Sequence, residues 1–185
     1  MDFLNAWAVD PVFRHNLAAP LSVLLILGAS QKLRDLPLFA AVVENYQILP
    51  AALSWPAAVL VAVAELLAGI GLPFLPWRAP AAALASLLLL LVTAAVAVNL
   101  WRGRDDIDCG CGGISRQPGL SWALVGRNGL LLLLLALTAT GSPSRPLLWI
   151  DYFSVSAGTL ALLALYSAGN LMLANTPQTL SLRNR

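Results

Sequence analysis

Both cysteines of the chain stand in one short run, RGRDDIDCGCGG at 102–113, as Cys109 and Cys111 with only Gly110 between them. Thiols at that spacing can help hold a metal, exchange electrons as a pair, or simply fill space. Two cysteines fall short of a tetrahedral zinc site unless histidine or carboxylates join them. The only histidine, His15, stands at the start of the first apolar stretch, on the opposite face by the topology derived below, so no metal is expected. A Cys-x-Cys pair can close a small ring, and glycine at its centre avoids the backbone strain a side chain would add. Such a ring removes little unfolded-state entropy and is comparatively reducible, which suits exchange better than stapling. Free cysteine is also a common small buried residue. This pair, however, lies in the most polar and glycine-rich run of the chain, where Arg102 and Arg104 favour thiolate while Asp105, Asp106 and Asp108 oppose it. Redox exchange is the expected chemistry.

The elements that must position this pair are membrane helices. Hydrophobic residues make up 59% of the chain and charged residues 11%, with a mean hydropathy of +0.78; soluble domains carry about half apolar and about a quarter charged residues. Residues 16–31, 79–101 and 152–182 contain no charge, 45–77 contain only Glu65, and 117–144 only Arg127. About 20 apolar residues cross a bilayer, so the composition predicts five spans, roughly 16–33, 56–75, 80–100, 121–140 and 153–173, in a single all-α domain over 1–185. Trp7, Trp55, Trp77, Trp101, Trp122 and Trp149 all fall beside the proposed ends, where indole prefers the headgroup boundary. Pro56, Pro80 and Pro118 are expected at or just ahead of helix starts. The first 13 residues carry Asp2 and Asp10 and lack a basic n-region, so no cleavable signal is expected. The small net charge forms no basic patch for nucleic acid, and lipid is the expected surrounding.

Two connections have room for chemistry. Residues 35–55 include LFAAVVENYQILP, with Leu38, Val42, Val43, Tyr46 and Leu49 at helix-like spacing and Pro37 and Pro50 at the ends; this predicts a short helix along the membrane surface. Residues 101–119 carry the cysteines among five glycines. In a five-span chain both connections share one face, so the surface helix could cover the cysteine segment. Glu65 and Arg127 are expensive alone in hydrocarbon, and both are expected to point into the bundle within one shared polar network or a bridged one.

These residues resemble a known family. Lys32-Leu33, NYQILP at 45–50, Glu65 within AELLAGIGL, NLWRGR from Asn99 followed by DCGCGG from Asp108, and Arg127-Asn128 are together similar to the MauE family of methylamine-utilisation proteins, a branch of the DoxX-like membrane proteins. The similarity covers roughly 17–140, and its most specific element is the Asn-x-x-Arg-Gly-Arg run leading into Cys-Gly-Cys. The family pattern has Phe after the second cysteine, where this chain has Gly112; the pair is intact, but an aromatic wall beside it is not implied. The resemblance implies a bacterial inner-membrane protein that serves maturation of the disulfide-rich small subunit of methylamine dehydrogenase, with a thioredoxin-like partner of the MauD type. In layout, four helices, a surface helix and a thiol pair before the fourth span are similar to the DsbB and vitamin K epoxide reductase thiol oxidases. The implied mechanism passes electrons from the partner through a Cys109–Cys111 disulfide to a membrane quinone, with Cys111 on the quinone side. Two-electron thiol oxidation also releases two protons, and Glu65, Arg127, Asn128, Asn99 and Tyr46 are the candidates to line the quinone pocket or a proton route. Two alternatives stay open: a non-catalytic membrane anchor for the thioredoxin-like partner, and an outward reductant conduit.

Orientation sets two arguments against each other. The cysteine face carries Lys32, Arg34, Arg102, Arg104, Arg116, Arg183 and Arg185, against Arg14, Arg78 and Arg145 on the other, which by the positive-inside rule puts the cysteines in the cytoplasm. A disulfide-bearing pair belongs in an oxidising compartment. We expect the second argument to prevail, with Cys109, Cys111, residues 35–55 and the C-terminus in the periplasm. A membrane-impermeant maleimide applied to intact, reduced cells should label both thiols; labelling only after lysis would reverse the topology.

Overall fold

The computed structural model describes residues 11–104, 107, 119–139 and 148–183, which form six helices. They are α1 Pro11–Arg34, α2 Leu36–Asn45, α3 Ala51–Gly71, α4 Leu75–Trp101, α5 Trp122–Ala139 and α6 Trp149–Arg183. Five are long and apolar enough to cross a membrane, and the ten-residue α2 is not. This is the expected all-α polytopic bundle with a short helix between its first two spans.

Local chemistry sets the breaks. Asp35 separates α1 from α2: its carboxylate accepts from the Leu38 amide at 3.1 Å, capping α2, and Pro37 sits in the first turn, where a missing N–H matters least. Pro56 and Pro80 do not mark helix starts but lie inside α3 and α4, which begin earlier, at Ala51 and Leu75. A proline this near a helix end frees one carbonyl a turn back, close to the boundary marked by Trp55 or Trp77, where water can satisfy it. Pro118 lies outside the described residues. At the far end of α3, Arg78 donates to the carbonyls of Leu72 at 3.1 Å and Pro73 at 3.3 Å, and its guanidinium meets the His15 ring at 3.0 Å. A cation thereby satisfies the carbonyls that the end of a helix leaves open.

Helices α1, α3, α4 and α5 pack as a four-helix core; α2 lies against α3, and α6 rests on α1. Small residues fill the seams: Ala18, Ala29, Ala58, Ala62, Ala68, Gly69, Ala81, Ala82 and Ala85 are buried, while Leu60, Leu67, Leu90, Leu91 and Leu133 face outward. That inversion belongs to membrane helices, where lipid is as apolar as leucine and close backbone approach supplies the attraction. The tightest seam joins α1 to α3, where Ser22 Oγ donates to the Gly69 carbonyl at 2.6 Å. A Cβ at Gly69 would stand 2.8 Å from Ile26 Cγ1 and 3.1 Å from the Ile26 amide nitrogen. Where α1 meets α6, a Cβ at Gly158 would collide with the Asn16 amide.

Gly69→Val should therefore force α1 from α3 and destabilise the bundle by about 1–3 kcal/mol, as overpacking does, whereas Gly129→Ala, with nothing within 4 Å of its added carbon, should be neutral or stabilising. Thermal unfolding of both variants in the same detergent checks the contrast.

Candidate functional site

The run NLWRGR is a helix stop that aims an arginine. Gly103 adopts φ 72°, a left-handed conformation that costs glycine little. Its amide bonds the Leu100 carbonyl at 3.0 Å and the Arg104 amide bonds the Asn99 carbonyl at 3.0 Å, the paired bonds of a Schellman end. Asn99, fully buried, donates to the Ala95 carbonyl at 3.0 Å and accepts from Arg104 Nη1 at 3.5 Å. From this position Arg104 reaches the turn after α2, donating to Gln47 Oε1 at 3.0 Å and to the Asn45 carbonyl at 3.0 Å. Arg102 adds a longer bond of 3.4 Å to the Gln47 carbonyl. Gln47 itself has φ 49°, rare for a residue with a side chain, and the two arginines hold both its backbone and its amide. The sequence suggested Arg102 and Arg104 as charges that favour thiolate; in the structure both guanidiniums engage this turn.

Beneath the clamp lies a small apolar platform of Tyr46, Val96, Ile107, Leu120 and Leu124. Ile107 and Leu120 flank the segment that carries the cysteines, and both are buried against α4 and the end of α2. The two flanks of the segment therefore meet at one end of the bundle, beside the end of α2, as the topology predicted. Cys109 and Cys111 themselves lie outside the described residues. Tyr46, a candidate for the pocket, is a buried member of the platform.

Glu65 and Arg127 do not share a network. Glu65 on α3 pairs with Lys32 on α1, Oε2 to Nζ at 2.6 Å, with side chains 16% and 11% exposed. The ammonium also lies 5.5 Å from the Phe39 ring centroid, which ties the pair to α2. Gly28 leaves the room: a Cβ there would come within 2.8 Å of Glu65 Oε1. Arg127 on α5 instead donates to Asn170 Oδ1 of α6 at 2.9 Å and, at 3.4 Å, to Asn128 Oδ1, while Asn128 Nδ2 reaches Thr93 of α4 at 3.1 Å. The separation follows from packing, since α3 lies against α1, α2 and α4 while Arg127 turns toward α6. Sequence reasoning missed Asn170, Thr93 and Gln47. An asparagine inside the last apolar span was a usable signal, because such a side chain needs a partner; Thr93, in a plain apolar run, offered none.

The chain matches the family model for methylamine utilisation protein MauE over residues 10–141, which spans α1 to α5. It is 38% identical over 143 residues to the methylamine utilization protein MauE of Paracoccus denitrificans, covering 77% of this chain and 75% of that one. The Paracoccus versutus protein of the same name is 35% identical over 180 residues, covering 95% and 97%. This chain belongs to the MauE family. A third member, from Methylorubrum extorquens, is 38% identical over 168 residues, covering 91% of this chain and 86% of its own. No solved structure matches the chain significantly. In this MauE-family protein the described residues among those that carried the resemblance make three contacts: NYQILP with NLWRGR at the clamp, Lys32 with Glu65, and Arg127 with Asn128.

Removing one partner of a mostly buried ion pair leaves an uncompensated charge, at about 3–5 kcal/mol. Glu65→Leu should therefore destabilise strongly, Glu65→Gln less because its amide can still accept from Lys32, and the double variant Lys32→Met/Glu65→Leu should recover most of the loss. Melting temperatures of the four proteins in one detergent test this order.

Proposed function

We propose that this protein is a thiol-disulfide oxidoreductase of the bacterial inner membrane, with its cysteine segment in the periplasm, serving methylamine utilisation. The relatives that share most of its length are named for that process. The observation that carries the redox reading is the clamp. Arg104 and the platform around Tyr46 hold both flanks of a glycine-rich dithiol segment at one end of a membrane bundle, which is the support an exchange pair needs to meet a partner repeatedly in one pose.

In the proposed cycle a reduced thioredoxin-like partner of the MauD type attacks the Cys109–Cys111 disulfide. One partner sulfur forms a mixed disulfide with one cysteine while the other leaves as thiolate; the second partner thiol then resolves the bond, and two electrons have passed to this chain. A membrane quinone reoxidises the pair: two S–H bonds break, one S–S bond forms, and the quinone takes up two electrons and two protons as quinol. The oxidised partner is then free to introduce disulfides into its client, the small subunit of methylamine dehydrogenase. Asn99 and Arg104 act here through position, by fixing where the dithiol segment leaves α4.

Purified protein given a reduced thioredoxin-like partner should reduce added quinone, and Cys109→Ser and Cys111→Ser should each abolish that turnover, one trapping a covalent partner complex. Turnover that survives both substitutions would sink the exchange reading and favour an anchor. A pair found reduced in quinone-replete membranes would favour an outward conduit.

A further inference from the structure

A cleft of about 550 Å³ opens between α1, α5 and α6. Its walls are almost wholly aliphatic, with Leu17 and Pro20 from α1, Leu130 and Leu134 from α5 and Leu162 from α6 among them. One end is polar, where Arg127, Tyr166 and Asn170 converge. Arg127 lies within the first two turns of α5, so the polar end belongs to the half of the bundle where Leu120 leads from the cysteine segment into that helix. The guanidinium has no carboxylate partner among the described residues, and its Nε is buried without a hydrogen bond. A guanidinium without a carboxylate at the polar end of an apolar slot is an arrangement that an acceptor oxygen on an apolar tail would complete.

We propose that this cleft binds an isoprenoid quinone, with Arg127 donating to a ring carbonyl and the tail lying between α1, α5 and α6. The inference rests on the thiol-to-quinone cycle above and names the site of its acceptor. A flat headgroup suits the polar end, where the Tyr166 ring, 5.8 Å from the guanidinium, offers an aromatic wall and Gly169 presents bare backbone with nothing within 4 Å of an added Cβ. As electrons reach the ring, negative charge grows on the carbonyl oxygen, and a preorganised guanidinium in a water-poor site stabilises that charge. Lipid phosphate offers the same guanidinium an acceptor, so the test must separate the two.

Decyl-ubiquinone is titrated into the full-length Cys109→Ser/Cys111→Ser variant in detergent, and a photoreactive azidoquinone maps the site. Label should fall on peptides around Arg127 and Asn170. Gly169→Leu, whose Cβ meets nothing within 4 Å and whose remaining carbons take up cleft volume, and Arg127→Leu should each weaken binding by about tenfold or more, the loss expected from one charge-assisted hydrogen bond or its displaced ligand. Arg127→Lys should retain part of the affinity. Label elsewhere, unchanged affinity in Gly169→Leu, or complete displacement of quinone by equimolar phosphatidylglycerol would overturn the assignment, the last by making this a lipid site. Because the test protein lacks thiols, its failure leaves the exchange reading intact. Loss of mixed-disulfide trapping in single-cysteine variants that still bind quinone would remove the exchange reading alone.

Discussion

Hydrocarbon offers no partner to a polar group, so every charge and amide within this bundle must be answered from the chain itself. That constraint decides which helices meet. Lys32 and Glu65 join α1 to α3, Arg127 and Asn128 join α5 to α6 and α4, and Ser22 sets its hydroxyl on the Gly69 carbonyl. The α1–α3 bonds are short because small residues let the backbones approach: Gly28 makes space for the Glu65 carboxylate, and Gly69 brings α3 onto α1. The polar bonds and the small-residue seams therefore depend on one another. A larger residue at either glycine separates the helices whose polar groups must meet.

Helix α1 is the hub of this arrangement, touching α3, α5 and α6. Because α6 rests on α1 and not in the four-helix core, the space between α1, α5 and α6 stays open to the membrane as a cleft. Its polar end follows from the same bonding rule: Asn170 accepts from one arm of Arg127 and Asn128 from the other, while the third nitrogen is buried without a hydrogen bond. The packing of one peripheral helix thus links bundle architecture to a place where a lipophilic ligand can sit.

At the other site, two stretches far apart in sequence become one structure. Gly103 ends α4 with a left-handed residue, which turns Arg104 back toward Gln47 and Asn45 at the end of α2. The glycine, the two arginines and Asn99 act together, since the stop without the arginines would leave the turn at Gln47 unsupported, and the arginines without the stop would point elsewhere. This clamp and the platform at Tyr46, Ile107 and Leu120 fix the flanks of the cysteine segment relative to the membrane boundary. Trp101 and Trp122, with ring centroids 6.4 Å apart, mark that boundary on α4 and α5.

Charge-free runs of span length predicted five membrane helices, because a charge left in hydrocarbon is too costly to be placed there casually, and the tryptophans marked their ends for the same reason. The short helix α2 was legible from its apolar spacing and Pro37, but it ends at Asn45, before Tyr46 and Leu49, and Pro50 stands ahead of α3 instead. Pro56 and Pro80 did not mark helix starts as expected: whether Pro56 caps α3 or sits inside it depends on whether water reaches the carbonyl it frees, which is a matter of depth and not of residue type. Glu65 was correctly expected to turn inward, since composition alone makes an isolated charge untenable, whereas Arg127 turns to the peripheral α6 and lines the cleft. Their partners were beyond the sequence, because Lys32 and Asn170 are chosen by which helices pack face to face. The clamp shows the same division. The run NLWRGR announces a helix end, but only the meeting of α4 with the turn after α2 gives Arg104 something to hold. Residue chemistry in a membrane thus determined what had to be buried, paired or stopped, and the close approach of helices, set by where glycine and alanine happen to face one another, decided with whom.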